Sequence, residues 1–428
     1  MVEMLGDGSG STPMSLNAVR KDLYRGWHGL DAGTGVDVAV IDTGVAPVDG
    51  LDGAHVLHGP DLSFEASTPE VAYLDTYGHG THMAGIIAGR RSGHEGVAPG
   101  ARIVSLKVAG HDGVTTVPQV VAAIDWVVDH HDTDGLNIRV LNLSLGQADV
   151  TTHAGDLLSA AVERAWDAGI FVVVAAGNDG DTQQHLDSPA IDPYVVAVGA
   201  VDSFSANDRD ERSVPSWSGY GDGTRNPDLI AAGRSIRSYR VPGSTIDEAM
   251  PSARDGDGLF RGSGTSQAAA VISGFAAAVI AEYPFLTNDQ LKDTITDQAM
   301  QMEAVSSRHA GYGHIDGPDP FAHGVRTSAG PQNHSRAAGS GTGIVAPTGA
   351  TWSGGQWSGA TWSGATWSGA TWSGATWSGA TWSGATWSGA TWSGATWSGA
   401  TWSGATWSGA TWSGATWSGA TWSGSGWS

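Results

Sequence analysis

Hydrophobic residues fall along this chain in short, mostly apolar runs separated by longer stretches with helical spacing. Residues 36–41, 102–108, 138–143, 170–176 and 194–200 are mostly apolar and end in glycine or polar turns. Runs of that kind predict strands buried on both faces of a parallel sheet, since a half-exposed strand would alternate. Between and after them, 117–130, 155–168, 265–283 and 288–301 predict helices, and the small-residue segment 78–89 predicts a helix packed closely on its neighbours. Strands alternating with helices of this length make βαβ units, so the expected fold is α/β: a mostly parallel sheet with helices on both faces. Two stretches lack any such pattern, and the passage up to Tyr77 reads as loop-rich while the one up to Arg261 reads as irregular and polar.

The pattern changes at both ends. Residues 1–22 read as a polar lead-in, with Trp27 and Leu30 beyond it as anchors of a short helix, and one large domain is expected over 23–322. Residues 323–350, rich in Gly, Ala, Ser and Pro, read as a linker. From 351 to 428 the chain repeats Ala-Thr-Trp-Ser-Gly, and all but four of its 20 tryptophans lie there. A five-residue period matches neither the two-residue period of a strand nor a helix made of poor helix formers. It matches a solenoid with one unit on each side of a coil, with a disordered Gly/Ser tract as the alternative. Rows of indole rings would suit the sugar rings of a cell surface or another copy of the chain.

Composition narrows the chemistry. There is no cysteine, so disulfides, thiolate metal sites and a thiol nucleophile are excluded. Against 43 Asp and Glu stand only 21 Lys and Arg, a formal charge of −22 that repels nucleic acid and anionic membranes. No apolar run reaches membrane-spanning length and residues 1–36 lack the features of a secretory signal, so the expectation is a protein that is not transmembrane and carries no visible export address.

Four polar residues stand where this pattern would expose them. Asp42 closes the first strand, His79 opens the small-residue helix, Asn178 follows an apolar strand, and Ser266 opens the alanine-rich helix after Gly262-Ser263-Gly264. Carboxyl ends of strands and N-termini of helices are where open α/β sheets gather their sites and where a developing oxyanion is stabilised. Serine needs a base to attack at neutral pH, imidazole has a suitable pKa, and a carboxylate fixes its tautomer. Two residues also have a plain structural reading, Ser266 as a helix cap and the nearby His82 as a hydrogen-bonded core histidine that accounts for the His79/His82 spacing without a metal.

In this order the motifs Val40-Ile41-Asp42-Thr43-Gly44, His79-Gly80-Thr81-His82-Met83-Ala84-Gly85, Ala175-Ala176-Gly177-Asn178 and Gly264-Thr265-Ser266-Gln267-Ala268 resemble those of the subtilisin family of serine proteases. Gly96-Val97-Ala98-Pro99, Asn142 to Gly146 and Val196 to Asp202 also fit, and the likeness runs from about Leu23 to Phe321. It implies an endopeptidase acting on proteins or peptides through an acyl-enzyme. Asp42 would orient, His79 act as base and then acid, Ser266 attack and Asn178 donate to the oxyanion. It also implies a substrate-pairing strand at Ser144, Leu145 and Gly146, and one wall of the specificity pocket at Ala176 and Gly177. No cofactor is required. Structural calcium is allowed but not indicated, because the loop from Arg90 to Gly96 is short, with Glu95 as its one acidic ligand. Ala270 stands where the family usually has proline and Gln267 where it often has methionine, which opens transfer of the acyl group to an amine as a minor course. Secreted relatives carry a signal and an inhibitory pro-domain; neither precedes Asp42, so a trimmed start or maturation without one is expected, and the resemblance points to an extracellular or cell-surface place. The rival reading is an inactive scaffold whose Trp-rich tail binds a surface or self-assembles.

Overall fold

The computed structural model describes residues 5–6, 13–23, 31–202, 212–256, 258–302 and 305–315, together with short tail strands between 351 and 427. Trp27, Leu30 and the linker 323–350 lie outside the described residues. The chain forms two compact units, 1–329 and 330–428.

The first unit is built on a nine-stranded sheet. In chain order its strands are β1 Asp37–Asp42, β2 Val56–Asp61, β3 Arg102–Lys107, β4 Ile138–Leu143, β5 Phe171–Ala175, β6 Val196–Val201, β7 Leu229–Ala232, β10 Ala299–Met300 and β11 His314–Ile315. Spatially they run β10-β11-β7-β6-β5-β4-β1-β3-β2, parallel throughout except for the β10–β11 pair. Every residue of β1, β5 and β6 is buried, as expected of strands covered on both faces. Helix α3 (Val117–His130) packs on α4 (Leu157–Asp167), whereas α2 (His79–Ala88) packs on α5 (Thr265–Glu282). Among the described helices α5 is the one long and apolar enough to cross a bilayer; here it is buried in the domain against β4, β5 and β6.

Three expectations are corrected. The passage before Tyr77 contains β2, and the polar stretch before Arg261 contains β7 and most of a second sheet. That second sheet pairs β8 (Ile236–Tyr239) antiparallel with β9 (Leu259–Ser263), and β8 also takes Met14–Ser15 as a parallel neighbour. These strands are too short for a periodic signal, and their partners lie far away in sequence. The helix expected over 288–301 ends sooner: α6 is Asn288–Asp297, and the chain then joins the sheet as β10. At the start of the domain the described helix is α1, Leu16–Leu23, which buries Leu16, Val19 and Leu23.

Within α6, Lys292 is buried and its ammonium donates to the carbonyls of Pro193 (2.9 Å), Tyr194 (3.3 Å) and Val195 (2.9 Å), 3.1 Å from Asp228. Burial pushes this lysine down from its usual range, and the Asp228 carboxylate opposes that shift. The cation ties α6 to the segment leading into β6.

In the second unit, three-residue strands recur every five residues from Thr351–Ser353 onward. Each pairs in parallel and in register with the strand twenty residues on, Thr351 with Thr371, Trp352 with Trp372 and Ser353 with Ser373. Four four-stranded sheets result.

Candidate active site

Asp42 is the last residue of β1 and His79 the first of α2, so the acid is delivered by a strand end and the imidazole by a helix mouth. The two meet in full burial: His79 Nδ1 lies 2.8 Å from Asp42 Oδ1 and 2.9 Å from Oδ2, while the Thr43 N–H donates to Oδ1 at 2.7 Å. Facing a carboxylate, Nδ1 carries the proton, which leaves Nε2 as the ring's acceptor. That Nε2 is buried and has no partner among the described residues.

The close approach of α2 to β1 depends on Gly80. A Cβ there would stand 2.1 Å from the Gly44 carbonyl oxygen, so any side chain would push the histidine helix away from the aspartate. The mouth of α2 is fixed by Asp75, a residue the sequence patterns did not single out. Its Oδ1 accepts from Thr43 Oγ1 (2.8 Å), Tyr77 N (3.2 Å) and Gly78 N (2.6 Å), and its Oδ2 from Thr81 N (2.8 Å) and Thr81 Oγ1 (2.7 Å). Thr43 Oγ1 in turn accepts from the Gly80 N–H at 2.9 Å. One buried carboxylate thus satisfies the unpaired N–H groups around His79 and ties them to the residue after Asp42.

His82 shares the helix but not the site. Its ring is buried edge-on against Phe260, centroids 6.4 Å apart, and burial followed by the neighbouring His79 pushes its pKa down to about 3. The expectation is a hydrogen-bonded core histidine, and the burial is as expected. By donor–acceptor geometry its ring nitrogens have no hydrogen-bond partner among the described residues, although the nearby Tyr239 backbone opposes the downward shift.

Ser266 is the second residue of α5, which begins directly after Gly264 at the end of β9. Its hydroxyl donates to the Ser144 carbonyl at 3.2 Å, and the Ser144 hydroxyl donates back to the Ser266 carbonyl at 3.2 Å. Ser144 Oγ accepts from Asn142 Nδ2 (2.9 Å), and Asn142 Oδ1 accepts from Ser273 Oγ (2.9 Å), so the end of β4 is riveted to α5. The structure therefore joins Asp42 to His79 and Ser144 to Ser266; the Ser266 hydroxyl is engaged with Ser144, not with His79.

Asn178 reaches the same place from β5. Its Oδ1 accepts from the Thr265 N–H (2.9 Å) and hydroxyl (3.1 Å), which orients the amide: a backbone N–H demands the oxygen, so the NH2 group points elsewhere. A Cβ on Gly264 would lie 3.5 Å from Asn178 Nδ2 and 2.9 Å from Gln267 Oε1, so two amides converge beside the serine. Gln267 is buried with neither amide atom partnered among the described residues, and Ala270 sits inside an unbroken helix. Gly177 takes a left-handed φ of 104° and exchanges contacts with Thr265, its N–H donating to the hydroxyl at 3.2 Å. Ala176 is buried next to it, Leu145 is buried, and Gly146 is half-buried. Between Gly146 and Gly177 stands Asp187, also absent from the sequence expectations.

As for metals, His153, Glu163 and Asp192 bring ligand atoms within 4.8 Å of one another, a grouping the sequence reading did not foresee. Burial pushes the Asp192 carboxyl up, its Oδ1 accepts from Tyr194 N at 2.9 Å, and the Glu163 carboxyl faces it.

The Subtilase family model matches residues 33–341. The chain is 35% identical over 286 residues to "Serine protease AprX" of Bacillus subtilis, covering 64% of this chain and 63% of that protein's length. It is 29% identical over 300 residues to "Minor extracellular protease Epr" of the same organism, covering 68% of this chain and 39% of that one. Among solved structures, a cold adapted subtilisin-like serine proteinase matches with a TM-score of 0.53 and 28% identity, over 69% of this chain and 95% of that one. The chain thus spans under two thirds of the length of these curated relatives.

Proposed function

The chain belongs to the subtilase family, and from that premise we propose that it is a serine endopeptidase working through an acyl-enzyme. The observation that carries this reading is the buried Asp42–His79 pair, which leaves Nε2, unpartnered among the described residues, on a ring held in one tautomer. Rotation about the Cα–Cβ bond of Ser266 exchanges the Ser144 carbonyl for that nitrogen as proton acceptor. His79 then takes the hydroxyl proton as Ser266 Oγ bonds to the scissile carbonyl carbon, and Asp42 stabilises the imidazolium. The carbonyl oxygen becomes an oxyanion between the Asn178 amide and backbone N–H groups at the mouth of α5, where the helix dipole also favours negative charge. His79 returns the proton to the leaving amine, and water repeats the sequence to release the acid. Ser144, Leu145 and Gly146 line one side of the substrate, Ala176 and Gly177 the other. No step requires a cofactor.

Casein hydrolysis and labelling by a serine-reactive fluorophosphonate test this. Both should vanish in Ser266→Ala, with turnover falling on the order of a millionfold. Hydrolysis at the original rate in that variant would refute the assignment, and a native chain that neither hydrolyses nor labels would leave the inactive-scaffold reading standing.

For the tail, the twenty-residue pairing period supports a solenoid of four pentapeptide sides per coil, and the role proposed for its rows of indole rings is to attach the enzyme to cell-surface carbohydrate. Retention of the full chain, but not of one ending at residue 350, on insoluble cell-wall glycan checks this; equal retention contradicts it. An extracellular place is proposed with it, in keeping with the relative named as extracellular.

A further inference from the structure

We propose that Asp187 selects the substrate side chain that precedes the scissile bond, and that it selects a basic one, lysine or arginine. The inference rests on the protease reading and names its substrate class. A Cβ on Gly146 would lie 2.8 Å from Asp187 Cβ and 3.0 Å from its Oδ2, and a Cβ on Gly177 would lie 2.8 Å from the same oxygen. Both glycines stand one step from the reacting atoms. Gly146 is two residues beyond Ser144, whose carbonyl accepts from the Ser266 hydroxyl, and Gly177 meets the hydroxyl of Thr265, the neighbour of Ser266. The two walls flanking the nucleophile therefore enclose a carboxylate, and glycine at both positions leaves room for it.

That half-buried carboxylate is held in place through one oxygen, while the other is free to accept. Gln183 Nε2 donates to Oδ1 at 2.7 Å and the Asp187 N–H reaches the Ala176 carbonyl at 3.4 Å, but Oδ2 has no donor among the described residues. Desolvation, reinforced by the negative charge of exposed Asp179, pushes its carboxyl up to about 6, against the opposing Gln183 hydrogen bond and the neighbouring His185. A lysine or arginine side chain entering between Gly146 and Gly177 supplies the missing cation and donor. An acidic side chain is repelled, and a large apolar one shuts the carboxylate away from water unpaired. A charge-assisted hydrogen bond in such a site corresponds to roughly tenfold to a hundredfold in kcat/KM.

The test is a set of fluorogenic peptides identical except for Lys, Arg, Leu, Phe, Ala or Glu before the scissile bond, assayed with the full chain and with Asp187→Asn and Asp187→Ser. The expected result is that Lys and Arg exceed Leu and Phe by tenfold or more, and that the Lys-to-Leu ratio falls by about ten- to a hundredfold in both variants. The ratio reports on selection, since a general loss of folding lowers all substrates together. Equal ratios in native and variant chains overturn the proposal. So does a native preference for Ala that Asp187→Ser converts to Phe, because Asp187 would then be a plug. Failure here with intact fluorophosphonate labelling sinks only the specificity assignment, whereas absence of labelling and of all hydrolysis sinks the protease reading with it.

Discussion

Asp75→Asn isolates the device that holds His79 in place. The substitution keeps the shape and the three bonds accepted by Oδ1, but it replaces Oδ2, which accepts from both the N–H and the hydroxyl of Thr81, with an NH2 group. Two charge-assisted bonds at about 1.5–3 kcal/mol each are lost, and a buried N–H is left facing another donor. The opposing effect is desolvation: burial pushes the Asp75 carboxyl up, and a neutral amide escapes that penalty. The difference leaves a destabilisation of about 3 kcal/mol, a sizeable part of the roughly 5–15 kcal/mol that holds a domain together. Because Gly78 and Thr81 bracket His79, the imidazole also shifts relative to Asp42, and kcat should fall at least tenfold with a smaller change in KM. Urea unfolding in a Ser266→Ala background, which prevents self-digestion, gives the first quantity, and peptide hydrolysis with Ser266 restored gives the second. A loss of stability under about 0.5 kcal/mol together with native kcat would refute the reasoning, since it would mean that the helix mouth is held by something other than this carboxylate.

Other outcomes follow from the same geometry. Asn178→Ala should lower kcat by roughly a hundred- to a thousandfold with little change in KM, because the oxyanion exists only late in the reaction; weakened binding at unchanged kcat would make Asn178 a substrate-positioning residue instead. For Glu65, burial alone would raise the carboxyl, but the Lys107 ammonium at 2.6 Å, the His111 N–H and the Thr76 hydroxyl outweigh it and hold it at about 2, against an ordinary 4.5. A depressed folded-state pKa contributes stability that is present above pH 4.5 and lost as pH falls from there through about 2. Comparing urea midpoints at pH 6 and pH 3 for Ser266→Ala and Ser266→Ala/Glu65→Gln should show a flatter pH dependence in the double variant; parallel losses would contradict the assigned role.

Much of this molecule is legible before any coordinates. Mostly apolar runs locate β1, β3, β4, β5 and β6, because a strand buried on both faces has few polar positions to spare. Asp42, His79, Asn178 and Ser266 stand out because each sits at an element boundary that the local pattern itself defines. The residues that hold these four in place are not visible in that way. Asp75 lies in a loop, and what it does depends on five donors contributed by Thr43, Tyr77, Gly78 and Thr81. Asp187 comes ten residues after Gly177 in a polar stretch, and only folding sets it against Gly146 from another strand's end. Strand β7 and the second sheet are likewise settled by partners distant in sequence, Met14 beside Ile236 among them. Periodicity reports which face of a segment is buried and local motifs report which chemistry is available. Which strand lies beside which, and which carboxylate faces which amide, depends on packing between segments far apart in the chain, and that is decided by the tertiary structure alone.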